Sequence, residues 1–123
     1  MITSPQHTID TYQASGLWEG RVLHQLLDEH SASVPQQMAV ADAPNRQDLV
    51  GSEPLRLSYE SLQHASYNLA LALVERGIGE DDTVIVQLPN IVELVVCYLA
   101  LSRIGAIISP VPVQYGDYEL KHF

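Results

Sequence analysis

Two apolar runs separated by a helix-length segment constrain the fold of this chain most strongly. Residues 83–88 are almost continuously apolar and rich in β-branched side chains, and residues 106–111 repeat that character. Between them, residues 91–101 contain a single charged residue, Glu93. A continuously apolar strand is buried on both faces, as in a parallel sheet, and parallel strands need a crossover that is usually helical. The pattern predicts a right-handed βαβ unit and therefore an α/β fold.

Polar residues and a glycine mark the ends of the predicted crossover helix. Asn90, with Glu93 three positions later, resembles a capping box and is predicted as the N-cap. Gly105 is predicted to end the helix. Residues 117–123 are predicted to open another helix, with Asp117 as its cap. The side chains expected to anchor the crossover helix on the first strand are Leu94, Val95 and Leu99.

The first half of the chain is predicted to contain a strand pair. Residues 38–43 form a short apolar run and residues 55–59 alternate between apolar and polar side chains, which predicts two antiparallel strands. Residues 44–54 are rich in polar residues and are predicted as a surface loop.

A helix is predicted on each side of this strand pair. The first covers residues 21–30, and its apolar face comprises Val22, Leu23, Leu26 and Leu27. The second follows Ser58, the predicted N-cap, and ends at Gly77. Its side chains expected to face the core are Leu62, Ala65, Leu69, Ala72 and Leu73.

Charge and cysteine content disfavour several classes of protein. Fifteen acidic residues against six basic ones give a net charge of −9, which disfavours nucleic acid and anionic membranes as partners. Cys97 is the single cysteine, so no internal disulfide is expected. Residues 1–16 are polar, without a periodic pattern or the features of a signal peptide, and are predicted as an arm over the surface. These features predict a cytoplasmic protein.

The residue types that carry catalysis form no recognisable constellation in the sequence. Gly77 and Gly79 lie between a helix and a strand, the reverse of the order in a dinucleotide-binding loop. Cys97 lies in the most apolar helix, where burial is expected to raise its pKa and make it a poor nucleophile. The histidines, His7, His24, His30, His64 and His122, lack the spacing of a zinc site.

Two further groups have both a structural and a functional interpretation. Asp81 and Asp82 could hold a hard cation, but an acidic turn before a strand is usually solvated. Tyr98, Tyr115 and Tyr118 could line a ligand cage, but packing in the core or at its edge is the favoured interpretation. No residue is therefore assigned a catalytic, cofactor-binding or metal-binding role.

The order of several short motifs resembles that in the adenylate-forming, or AMP-binding, enzymes. Residues 57–62 read LSYESL and resemble the Leu-Thr/Ser-Tyr-x-Glu-Leu motif of that family, with Ser61 where Glu is usual. Residues 101–110 read LSRIGAIISP and resemble its second core motif. Between them, residues 84–90 read VIVQLPN, similar to a strand-to-helix turn of acyl- and aryl-CoA synthetases.

Other segments resemble one branch of the family. Residues 12–18, YQASGLW, and residues 110–115, PVPVQY, are similar to the branch that includes 2,3-dihydroxybenzoate–AMP ligases and cyclohexanecarboxylate–CoA ligases. The resemblance extends over residues 12–123 and implies a partial N-terminal subdomain of the adenylate-forming fold. After the polar arm predicted over residues 1–16, it implies, over 17–123, the start of an adenylation domain that stops before the phosphate-binding loop.

The resemblance implies a ligase that works in two steps. A carboxylate attacks the α-phosphate of ATP to give an acyl-adenylate, and a thiol then displaces AMP. ATP, Mg²⁺ and coenzyme A are the cofactors implied for full-length members. Their phosphate loop and catalytic Lys lie beyond residue 123, so this chain is expected to bind none of the three and to be inactive alone.

Two other classes of function stay open at this point. The chain could be a standalone module that binds a partner protein through its unfinished sheet. It could also be an independent doubly wound nucleotide-binding enzyme, although the glycine-rich loop expected there is missing. A downstream continuation with the phosphate loop would favour the ligase fragment. The expected partners are a second copy of the chain or the remainder of the enzyme; folding of the arm over the exposed face would instead leave a monomer.

Overall fold

The computed structural model describes residues 4–122 as an α/β structure. In chain order its elements are α1 (Gln6–Ala14), α2 (Leu23–Ser33), β1 (Met38–Ala41), α3 (Arg46–Val50), β2 (Arg56–Ser58), α4 (Tyr59–Val74), β3 (Thr83–Val86), α5 (Val92–Ile104), β4 (Ile107–Pro110) and α6 (Asp117–Leu120). No helix within these residues is both long enough and apolar enough to cross a membrane.

Both predicted strand pairs are present. Strands β3 and β4 are parallel, with Thr83 opposite Ile107, and α5 connects them. Strands β1 and β2 are antiparallel, with a shift of register between Met38 and Val40. The described residues thus contain two separate two-stranded sheets, one of each kind.

Helices α2, α4 and α5 pack around a cluster of three leucines. Leu27, Leu62 and Leu99 come from one helix each and are buried. Burial of such a side chain contributes about 1.5–3 kcal/mol. All three were predicted to face the core, so the helical periodicity identified its centre correctly.

Helix α4 begins and ends as predicted. The N–H of Ser61 donates to Oγ of Ser58 at 3.2 Å, which satisfies one of the free donors of the first turn. Gly77 follows the helix with a φ of 84°, a left-handed conformation in which glycine avoids the steric cost of a side chain. Gly105 ends α5 with a φ of 71°, also as predicted.

Two segments predicted without secondary structure contain helices. Helix α3 lies within the predicted loop 44–54. Helix α1 lies within the predicted arm 1–16, where a side chain–side chain bond from Gln6 to Asp10 links successive turns. None of the residues of α1 is buried, so it does not fold back over the core. The first three residues of the predicted arm lie outside the described residues.

The predicted burial of the apolar runs is only partly correct. In β3, Val86 is buried whereas Thr83 and Ile85 are exposed, because side chains alternate between the faces of a strand and one face stays uncovered. In α5, Leu99 is buried, but Leu94 and Val95 are only half-buried. The prediction of burial on both faces and all round the helix is therefore wrong for the described residues.

The two N-caps predicted in the second half of the chain, Asn90 and Asp117, are both wrong. Ile91, not Asn90, is the N-cap of α5, and neither residue caps the helix with its side chain. Gly116, not Asp117, precedes α6, and its N–H donates to Oε2 of Glu119 at 2.9 Å. Phe123 of the predicted last helix lies outside the described residues.

Candidate functional site

A cluster of buried charged groups centres on the guanidinium of Arg46, at the start of α3. Only 7% of its side chain is exposed. Its Nη1 donates to Oδ2 of Asp42 and to Oε2 of Glu93, both at 2.7 Å. Its Nη2 donates to Oε1 of Glu93 at 2.6 Å, and its Nε donates to Oγ of Ser52 at 3.0 Å. Arg46 therefore holds one carboxylate on each side, and it binds Glu93 through two parallel hydrogen bonds.

Asp42 connects this cluster to the backbone. Its Oδ1 accepts from the N–H of Val92 at 2.7 Å, and its Oδ2 accepts from the N–H of Leu55 at 2.9 Å. The first bond places a negative charge at the N-terminus of α5, where the helix dipole favours it. Asp42, 50 residues before Val92 in the chain, thus supplies the cap that was predicted at Asn90.

The contacts within this cluster shift the pKa values of its members. Burial tends to raise the pKa of Asp42, but the N–H groups of Leu55 and Val92, with Arg46, hold it below its ordinary 3.8. The hydrogen bond from Arg46 outweighs burial at Glu93 and lowers that pKa below 4.5. The hydrogen bond with Glu93 raises the pKa of Arg46. All three groups are charged at neutral pH.

A second buried cluster connects α2, α4 and α5 through Arg103. Its guanidinium pairs with both oxygens of Asp28, and its Nε donates to Oγ of the fully buried Ser66 at 3.0 Å. The centroid of the Tyr67 ring lies 4.1 Å from the guanidinium carbon. Gln63 adds a hydrogen bond to Oδ1 of Asp28 at 2.8 Å. The bond from Arg103 holds the pKa of Asp28 below its ordinary value.

An apolar groove opens above the leucine cluster. It has a volume of about 230 Å³ and is lined by Leu23, Leu26, Leu27, His30, Ala39, Tyr59, Leu62 and Leu99. His30 stacks on Tyr59 with the ring centroids 5.1 Å apart, and its Nδ1–H donates to the carbonyl of Leu26 at 2.8 Å. Small-molecule pockets are usually larger than about 300 Å³ and bring several polar groups together. The groove has neither property.

The structure places the remaining candidate residues in separate positions. Burial raises the pKa of Cys97, with the charge of Glu93 adding to the effect, as expected for an inert thiol. His24 forms a hydrogen bond with Ser102, whereas His64 is exposed. Asp82 accepts from the N–H of Gly79 at 2.8 Å and so closes the turn before β3.

The three candidate tyrosines do not form a common core. Tyr98 is half-buried, but Tyr118 has 75% of its surface exposed, which contradicts the packing interpretation for that residue. Tyr115 and Tyr118 line a small surface depression together with Glu119 and His122. Among residues 4–122, no group of three or more His, Cys, Asp or Glu side chains could hold a metal ion.

The two arginine clusters were not predicted from the sequence. Arg46 and Glu93 are 47 positions apart and Arg103 and Asp28 are 75 apart, so no local pattern records these pairs. The available signal was an isolated charge beside an apolar segment, since Asp42 directly follows β1 and Glu93 lies in the first turn of α5.

The fold and the site define an α/β scaffold in which buried ion pairs connect helices to one another and to loops. The described residues form no catalytic constellation. A model of the AMP-binding enzyme family matches residues 30–123. The chain belongs to this family of adenylate-forming enzymes.

Individual relatives agree with this assignment. The chain is 36% identical over 119 residues to the salicyl-AMP ligase / salicyl-S-ArCP synthetase of Mycobacterium tuberculosis, covering 97% of this chain and 20% of that protein. The apo structure of Mycobacterium smegmatis MbtA matches with a TM-score of 0.78 and 29% identity, over 100% of this chain and 21% of that one.

A third match concerns the fold alone. The N-terminal subdomain of Klebsiella oxytoca NpsA superimposes with a TM-score of 0.65 and 23% identity, over 82% of this chain and 24% of that subdomain. The chain therefore has the fold of part of an N-terminal subdomain of the family. It spans about a fifth of the length of the salicyl-AMP ligase.

The buried cations of the described residues are not available to a nucleotide phosphate. A nucleotide phosphate is bound by free cations or by backbone N–H groups at a helix N-terminus. The two buried guanidinium groups, of Arg46 and Arg103, are already paired with carboxylates. The N-terminus of α5 already carries the carboxylate of Asp42.

Proposed function

We propose that this chain is the N-terminal scaffold of an ATP-dependent ligase that joins an aryl carboxylic acid to a thiol through an acyl-adenylate. The observation that carries the proposal is the 36% identity with a salicyl-AMP ligase over 97% of the chain. Salicylate is an aryl acid, and the resemblance of residues 12–18 and 110–115 to the aryl-acid branch points to the same substrate class. ATP, Mg²⁺ and a thiol such as coenzyme A would be bound by other parts of such an enzyme.

The contribution of this chain to the reaction would be structural. The Asp42–Arg46–Glu93 cluster fixes the turn between β3 and α5, and the Arg103 cluster fixes α5 against α2 and α4. Rigid support of this kind maintains the geometry of a catalytic site built elsewhere. A cytoplasmic location is part of the proposal, because the single cysteine forms no internal disulfide.

The first test asks whether the chain activates an acid by itself. We expect no salicylate-dependent exchange of pyrophosphate into ATP and no heat of ATP binding in calorimetry, because the buried cations are occupied. The full-length M. tuberculosis salicyl-AMP ligase is the positive control. A specific ATP dissociation constant in the micromolar range would contradict the inactive-alone part of the proposal.

The second test asks whether the chain supports catalysis in a complete enzyme. In a chimera, this chain replaces the 119 matching residues of the salicyl-AMP ligase. We expect salicylate-dependent pyrophosphate exchange, and we expect the Arg46→Ala chimera to lose more of it on warming than an Arg21→Ala chimera. A chimera that is folded by circular dichroism but exchanges no pyrophosphate would contradict the scaffold assignment.

The alternative function, a standalone protein-interaction module, is favoured by one observation. Ile85 on the uncovered face of β3 has 41% of its surface exposed. Parallel sheets are normally covered on both faces, so this face offers a binding surface. Activity of the chimera would favour the ligase scaffold over this alternative.

A further inference from the structure

The chain exposes more surface than a compact protein of its size. Its accessible surface is 8263 Å², whereas a compact monomer of 13.6 kDa has about 6,600 Å² by the usual scaling with mass. The surplus of about 1,700 Å² is roughly twice the area that one partner buries in a standard protein interface. This area is large enough for one half of a stable dimer interface.

Part of this surface is an aromatic anchor at the end of α1. The N–H groups of Leu17 and Trp18 both donate to the carbonyl of Tyr12, at 2.9 and 3.1 Å. Gly16, with a φ of 72°, makes this tight reversal possible. The rings of Tyr12 and Trp18 lie 5.6 Å apart, and Leu17 projects with 71% of its surface exposed. Rigid aromatic side chains of this kind dominate protein interfaces.

Helix α1 does not pack against the core of its own chain. It has nine residues, and none of them is buried. Isolated helices shorter than about 12–15 residues are marginal in water, so α1 needs a surface to pack against. The core of its own chain does not provide that surface.

The apolar groove above the leucine cluster is a suitable binding site for this aromatic anchor. Its floor is the leucine cluster, and its rim includes Leu23 and Leu26, which have 49% and 40% of their surface exposed. The lining residues include no carboxylate, so the net charge of −9 lies outside it. The anchor ends five residues before the rim begins, at Trp18 and Leu23.

We propose that two copies of this chain form a two-fold symmetric dimer in which Leu17 and Trp18 of each copy enter the groove of the other. Each copy carries both an anchor and a groove, so the surface is self-complementary. A two-fold axis lets each anchor fill the groove of the other copy, and no further copies can add to the contact. The anchor covers the exposed leucines of the rim, and α1 packs on the partner's α2. The proposal is independent of the ligase assignment.

The test measures the mass of the whole chain in solution. Light scattering on a gel-filtration peak is expected to give twice 13.6 kDa at high micromolar concentration. Trp18→Ala and Leu23→Ser, which alter the anchor and the rim, are each expected to raise the dimer dissociation constant by about tenfold or more. Leu71→Ser is the matched control, because Leu71 is 60% exposed on α4 and is not a groove residue.

Salt dependence distinguishes a second copy from a basic partner. Two copies of charge −9 repel each other, so sodium chloride is expected to tighten the dimer by screening. A mass of 13.6 kDa at every concentration would overturn the proposal. So would a dimer that the Leu71 variant weakens as much as the Trp18 variant does, provided that circular dichroism shows all variants folded.

Discussion

Arg46 links the end of β1, the loop after α3 and the start of α5 through Asp42, Ser52 and Glu93. Its removal leaves the carboxylate of Asp42, whose side chain is 1% exposed, without its ionic partner. An unpaired buried charge is far more costly than a lost surface ion pair. We expect Arg46→Ala to lower the urea midpoint clearly more than Arg21→Ala, which breaks the exposed pair with Glu29. Equal midpoints for the two variants would show that the cluster contributes no more than a surface pair.

A second prediction at this scale concerns two candidate caps. Ser58 caps α4 with its side chain, whereas Asn90 caps nothing. Ser58→Ala should therefore cost about 0.5–2 kcal/mol in the free energy of unfolding. Asn90→Ala should change it by no more than about 0.5 kcal/mol, as for an exposed loop position. Denaturant titration of both variants checks this, and a larger loss for Asn90→Ala would reinstate the capping box.

Acid stability follows from three carboxylates. Asp28, Asp42 and Glu93 all have pKa values below those of the unfolded chain, which are 3.8 for Asp and 4.5 for Glu. Groups with a lowered pKa stabilise the fold above the unfolded pKa, and this stabilisation is lost as the pH falls through the folded pKa. We expect the thermal midpoint to stay level from pH 7 to about 5 and to fall below about pH 4. Glu93→Gln should flatten that fall, and a midpoint that rises below pH 4 would contradict the assignment.

Residue-level prediction from the sequence succeeded where the partners are local. Ser58 accepts a hydrogen bond from a backbone N–H only three positions away, at Ser61, and the local pattern correctly predicted Ser58 as the cap. Asp42 and Val92 are 50 positions apart, so the local pattern around Asn90 predicted the wrong cap. Tertiary partners of this kind are invisible to a window of a few residues.

At the scale of elements, α5 separates into a buried and a half-buried side. Leu99 is 6% exposed within the leucine cluster, whereas Leu94 is half-buried. Leu99→Ala should therefore cost about 2–5 kcal/mol, and Leu94→Ala should cost less, because part of its surface already faces water. Equilibrium unfolding of both variants decides this. A loss at Leu94 as large as that at Leu99 would mean that another surface covers Leu94 in solution.

The sequence predicted elements wherever burial or helical periodicity continues over several residues. Strands β1 to β4 and helices α2, α4 and α5 follow such patterns. Helix α3 does not, because its one buried side chain is the charged Arg46, and a buried arginine looks like a loop residue in the sequence. Helix α1 has no buried face, so its sequence has no apolar periodicity from which a helix could be predicted.

At the scale of the whole molecule, the sequence motifs predicted the family correctly but not the exposed surfaces. The predicted burial of β3 on both faces assumed cover that the described residues do not supply at Ile85. A pattern of apolar residues records which side chains avoid water in the assembled protein. It does not record whether the covering group belongs to the same 123 residues.

The bond between Asp42 and Val92 also sets an order of events during synthesis. Asp42 emerges from the ribosome 50 residues before the backbone group that it binds. Synthesis adds about 5–20 residues per second, so the backbone group that Asp42 binds is made roughly 3–10 s after Asp42. Glu93 is made nearly as long after Arg46. During that interval the ion pair between Asp42 and Arg46 is exposed to water. Helix α5 does not yet have the hydrogen bond from Val92 to Asp42 at its N-terminus. The N-terminal half of the chain therefore reaches its final form only after the second half has been made.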